Sequence, residues 1–82
     1  MKEIKLKLDI SIANQLYKIC DTCDFDVNIV CGRKCVDGKS IIGVMEMCGH
    51  IVTLAPVTPD EYSWEMFFHR VQEIGAYKED IY

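Results

Sequence analysis

Five cysteines and two histidines are the side chains of this sequence most suited to metal or redox chemistry. Cys20-x-x-Cys23, Cys31-x3-Cys35 and Cys48-Gly49-His50 have the short spacings from which tetrahedral zinc draws its four ligands. The competing reading is packing. Cys20 and Cys23 fall on the apolar stripe of a predicted helix, Cys31 continues the inward side of a predicted strand, and cysteine often behaves as a small buried hydrophobe. A redox Cys-x-x-Cys would need a βαβ setting, which the surrounding pattern does not supply. An odd number of cysteines argues against a disulfide framework. The expectation is therefore a cytoplasmic protein with reduced thiols, no metal and no cofactor.

Phosphate chemistry is the other possibility. His50 opens a predicted strand, and His69 stands beside Arg70, the one His-Arg pair in the chain. An imidazole that accepts phosphate needs a place at a helix N-terminus and a cation to balance the incoming charge. His69-Arg70 falls on an ordinary polar helix face, which makes an acceptor role the minor expectation for either histidine. Ser40, in Asp37-Gly38-Lys39-Ser40, is placed to cap a short helix.

Bulk properties limit the rest. The 82 residues are half apolar and about a quarter charged, which suits a single small globular domain over residues 1–75 with a tail at 76–82. A net charge of −4 and no basic run beyond Arg33-Lys34, with Lys39 near it, argue against a phosphate-backbone interface, and the expectation is no nucleic acid. No apolar run is long enough to span a bilayer, and Met1-Lys2-Glu3-Ile4-Lys5 has no apolar signal region.

The elements that must position these groups follow from periodicity. Glu3 to Ile10 alternates, with Ile4, Leu6, Leu8 and Ile10 on one side, and predicts a half-buried strand. Ser11 then caps a helix carrying Ile12, Leu16, Ile19, Cys20 and Cys23. Phe25 to Cys31 and Lys34 to Asp37 form a hairpin around Gly32-Arg33. Ser40 caps a short helix through Met47, Gly49 ends it, and His50 to Ala55 is a fourth strand. Thr58-Pro59-Asp60-Glu61 reads as a capping box with Thr58 as cap, followed by a stripe of Trp64, Phe67, Phe68, Val71 and Ile74, with Gly75 ending the helix. The order β-α-β-β-α-β-α fits an α+β two-layer sandwich, a four-stranded, mostly antiparallel sheet covered on one face by three helices. A ferredoxin-like arrangement is the competitor, disfavoured by the short middle helix and the extra last one.

Val36-Asp37-Gly38-Lys39-Ser40-Ile41-Ile42-Gly43-Val44-Met45 resembles the signature of the phosphocarrier HPr family of the bacterial sugar phosphotransferase system. The likeness extends back through Phe25-Asp26-Val27-Asn28-Ile29 and forward to Thr58-Pro59-Asp60-Glu61, covering residues 16–74. The family's element order is the one derived above. The departure lies at the active site. HPr carriers open the first helix with L-H-A-R-P-A, where the histidine takes the phosphate and the arginine steadies it. Counting back from Phe25 by the family's interval places that histidine near Ser11, within Ile10-Ser11-Ile12-Ala13-Asn14. Histidine, arginine and proline are all missing there, and the first basic residue of the helix is Lys18.

The resemblance implies an HPr-like protein without histidine phosphocarrier activity, acting as a binding or regulatory module rather than an enzyme. Ser40 aligns with the serine that HPr kinase/phosphorylase modifies, and Lys39 adjoins it. Ile41, Ile42 and Met45 align with the family's docking surface, with Val44 and Met47 expected to point inward. The implied partners are that kinase or other phosphotransferase-system or regulatory proteins, with the chain a monomer or weak homodimer. The alternatives are a phosphotransfer component with a non-standard acceptor, and a small zinc-binding module.

Overall fold

The computed structural model describes residues 4–57 and 60–74. Seven elements follow in order: β1 (Ile4–Lys7), α1 (Ile10–Asp21), β2 (Asp26–Cys31), β3 (Lys34–Asp37), α2 (Ile41–Glu46), β4 (Ile51–Val57) and α3 (Glu61–Glu73). The strands form one sheet in the order β1-β4-β2-β3, and every neighbouring pair is antiparallel. This is the expected α+β sandwich, with β1 at one edge and β3 at the other.

Register puts the apolar strand positions on one face. Ile4 is opposite Leu54 and Leu6 opposite Val52, while Ile29 lies between Leu54 and Val36. These side chains meet Ala13, Leu16, Ile19 and Cys20 of α1, Val44 of α2, and Trp64, Phe67, Phe68 and Val71 of α3 in one core. No polar or charged residue is buried among the described residues. Trp64 and Phe67 stack at 5.2 Å, and Phe25 meets Phe67 edge-on at 5.7 Å. The burial of this aromatic group holds α3 against the start of β2.

Three local expectations are corrected. β1 stops at Lys7, because Leu8 leaves the sheet to exchange backbone bonds with the α2–β4 turn: its N–H donates to His50 O (3.0 Å) and its carbonyl accepts from Gly49 N (2.7 Å). Ile10 is therefore not a strand residue but the first of α1, and it is 72% exposed. The cap of α1 is Asp9 rather than Ser11: the Asp9 carboxylate accepts from Ile12 N at 2.8 Å. Likewise α3 is capped by Asp60, whose carboxylate accepts from Ser63 N at 2.7 Å; this bonding lowers the acid's pKa. Glu61 thus opens the helix instead of closing a capping box at its third position. Thr58, Pro59, Gly75 and the tail lie outside the described residues.

β4 also runs two residues beyond Ala55. Pro56 stands in a central strand opposite Val27, whose carbonyl accepts from Gly38 N on the β3 side, so the proline nitrogen is turned away from β2 and no bond between these two strands is lost. Gly32 opens the two-residue hairpin turn at φ 59°, and Gly49 ends the α2 turn at φ 90°. Both are left-handed conformations that a side chain would strain.

Candidate functional site

The segment from Val36 to Met45 is first of all a structural device. Asp37 turns the chain: its carboxylate accepts from Lys39 N (2.9 Å) and its carbonyl from Ser40 N (3.0 Å). Gly38 N donates to Val27 O, and a Cβ at Gly38 would lie 2.8 Å from Cys20 Sγ and 2.9 Å from that carbonyl. Only glycine fits under such a close approach. Ser40 adopts extended backbone and caps α2, its Oγ accepting from Gly43 N at 3.3 Å. A Cβ at Gly43 would come within 3.1 Å of Val36 Cβ, so the first turn of α2 lies close on β3.

What packing leaves unexplained is the outer side of α2. Val44 and Met47 are buried as expected. Ile42 is 73% exposed and Ile41 38%, whereas Met45 is half-buried against the core. The pair Ile41-Ile42 therefore stands in solvent beside the exposed Ser40, and Met45 contributes only its rim. Lys39 is engaged: its Nζ lies 3.5 Å from the Asp26 carboxylate on β2. A phosphate on Ser40 would have to draw this ammonium away from Asp26.

The N-terminus of α1 is the opposite case. Ser11 is exposed, one residue inside the helix, and its Oγ accepts from the Gln15 amide at 3.3 Å. The cap is already an anion, Asp9, and the only basic residue of α1 is Lys18 in its last turn. A carboxylate bonded to the free N–H groups both occupies the place of an incoming phosphate and repels it. His50 is exposed at the α2–β4 turn, and its backbone bond to Leu8 brings it to this end of α1. Sequence spacing gave no hint of this, because the pairing is between β1 and the turn before β4.

The remaining residues with chemical potential are dispersed. Cys20 lies in the core, where burial pushes its thiol up to about 12, and the neighbouring Cys23 adds to the shift. Burial also raises Cys23, whose Sγ donates to Ile19 O at 3.2 Å. Cys31 is partly buried on the helix face of the sheet, while Cys35, opposite Val30, lies on the other face. Among the described residues no three His, Cys, Asp or Glu side chains gather as metal ligands. His69 is exposed beside Phe68, and Arg70 is turned to Thr22, Nη2 to Oγ1 3.3 Å, at the rim of a shallow cleft of about 180 Å³. That cleft, between the end of α1 and α3, excludes Ser40 and the isoleucine pair. No helix among the described residues is long and apolar enough to cross a membrane.

No protein-family model matches the chain, and no curated protein matches its sequence. A solved structure does match: the crystal structure of HPr-C-His from Thermoanaerobacter tengcongensis superposes with a TM-score of 0.66 at 18% identity, covering 90% of this chain and 94% of that one. The geometry and this likeness together give the chain an HPr-like fold.

Proposed function

We propose that this protein is an HPr-type relative that works by docking a protein partner on the N-terminal end of α2, and that it does not relay phosphate through a histidine at α1. One observation carries the reading: Ile41 and Ile42 are left in solvent beside an accessible serine cap, on a turn otherwise fixed by close packing. An apolar pair on a rigid, capped helix end is a surface a partner can bury with little loss of conformational freedom. The carboxylate cap at Asp9 and the distance of Lys18 from it support the second half. Phosphorylation of Ser40 would place charge at the start of α2, next to Lys39, and so regulate the docking.

The test is the intact mass of the chain after incubation with ATP and an HPr kinase/phosphorylase, with Ser40→Ala as control. Gain of one phosphate, absent from the control, is the expected result; no gain removes the regulatory part. Phosphotransfer by a non-standard acceptor is the second reading, favoured by the position of His50 at the start of α1. Incubation with phosphoenolpyruvate and the first enzyme of the phosphotransferase system separates the two. Acid-labile phosphate lost in a His50→Gln variant would replace the docking-only reading.

A further inference from the structure

We propose that β3 is a self-association edge, through which two copies of this chain pair antiparallel about a two-fold axis at Cys35 and join their sheets. The hydrogen-bond phase comes first. Cys31 and Lys34 close the two-residue hairpin turn, and Gly38 N donates to Val27 O, so the even-numbered residues of β3 direct their backbone groups at β2. The odd-numbered Cys35 therefore directs its backbone groups to the open edge, whereas the carbonyl of Asp37, next in phase, accepts from Ser40 N in the turn to α2. With the axis at Cys35, the two Cys35 residues form the hydrogen-bonded pair at the centre of the seam.

Side-chain charge selects this register. A two-fold axis normal to a sheet keeps each residue on its own face, and with the axis at Cys35 it sets Arg33 opposite Asp37 at both ends. Arg33, Cys35 and Asp37 are all exposed. Lys34 lies opposite Val36, so no like charges meet. Its ammonium is turned over the helix face to Glu46, 3.7 Å away, and does not guard the seam as edge lysines commonly do. The other edge behaves differently. On β1 the described residues of the solvent face are Lys5 and Lys7, and a two-fold axis at Lys5, Leu6 or Lys7 sets lysine against lysine. Within the described strands these β1 registers bring like charges together, whereas the β3 register brings opposite charges together.

The test uses the full chain. In reduced protein, concentration-dependent amide shifts in heteronuclear spectra are expected at Arg33, Cys35 and Asp37 and not at Lys5 or Lys7. Copper-phenanthroline, which takes two electrons and releases two protons from paired thiols, should then give a covalent dimer that is lost in Cys35→Ser. Arg33→Asp, at an exposed turn position, sets carboxylates against each other at both ends and should slow that cross-linking about tenfold at low salt. Shifts absent at the highest attainable concentration, or cross-linking through Cys35 as fast in Arg33→Asp as in the parent, would overturn the proposal.

Discussion

The N-termini of α1 and α2 lie at opposite ends of an antiparallel helix pair. Gly38, just before α2, rests on Cys20 near the end of α1, while the turn after α2 is bonded to Leu8 just before α1. A twelve-residue helix separates them by about 18 Å. Both are helix starts with free N–H groups, but α1 is capped by a carboxylate and flanked by an exposed Ile10, whereas α2 is capped by a neutral hydroxyl beside a lysine and two exposed isoleucines. One end already holds its anion. The other has a neutral cap and no acidic residue in its first turn. Two helix starts of one scaffold therefore differ in charge and exposed apolar surface through one capping side chain and its neighbours.

The largest expected effect tests whether the α2 end is held as tightly as its contacts imply. Gly38→Ala forces a Cβ against Cys20 Sγ and the Val27 carbonyl, and should cost about 2–3 kcal/mol in urea unfolding. A cost below about 0.5 kcal/mol would mean that the turn is loose.

Alkaline pH loosens the floor of the same turn. The folded-state pKa of Cys20 is raised to about 12 from an ordinary 9.0, so the unfolded chain loses its proton first. Stability is then unaffected by this thiol below pH 9 and falls as pH rises from 9 toward 12. By pH 10 the loss should be about 1 kcal/mol, and Cys20→Ala should abolish this part of the pH dependence in denaturant titrations. At neutral pH a thiol reagent should label exposed Cys35 quickly and Cys20 only on unfolding.

The smallest effects compare the two caps directly. Asp9→Ala should cost about 1 kcal/mol, and Ser40→Ala, with its longer 3.3 Å bond, about 0.5 kcal/mol, both read from thermal melts. Equal costs would show that the hydroxyl matters to α2 as much as the carboxylate does to α1. The difference between the two ends would then rest on their neighbours alone.

Much of the scaffold was legible because local periodicity and tertiary burial agree. The alternation of Ile4, Leu6 and Leu8, the Gly32-Arg33 turn and the Trp64–Val71 stripe each place apolar groups where the sheet and helices meet. The α2 cap was legible at Ser40 because the turn residues Asp37-Gly38-Lys39 end the strand directly before it. The α1 cap was not. Alternation continues formally through Ile10, and only the backbone bonds of Leu8 to His50 and Gly49 show that the chain has left the sheet and that Asp9 has become the cap.

Residue order alone settled the element types, the α+β class, the absence of a histidine-arginine pair near Ser11, and the apolar character of Ile41, Ile42 and Met45. These depend on spacing and side-chain type within a few residues. Tertiary structure decided which of those apolar groups reach solvent, that Lys39 is committed to Asp26, that the cysteines are dispersed, and that His50 stands at the start of α1. Each of these depends on contacts between segments distant in sequence, and local periodicity carries no information about which faces are brought together.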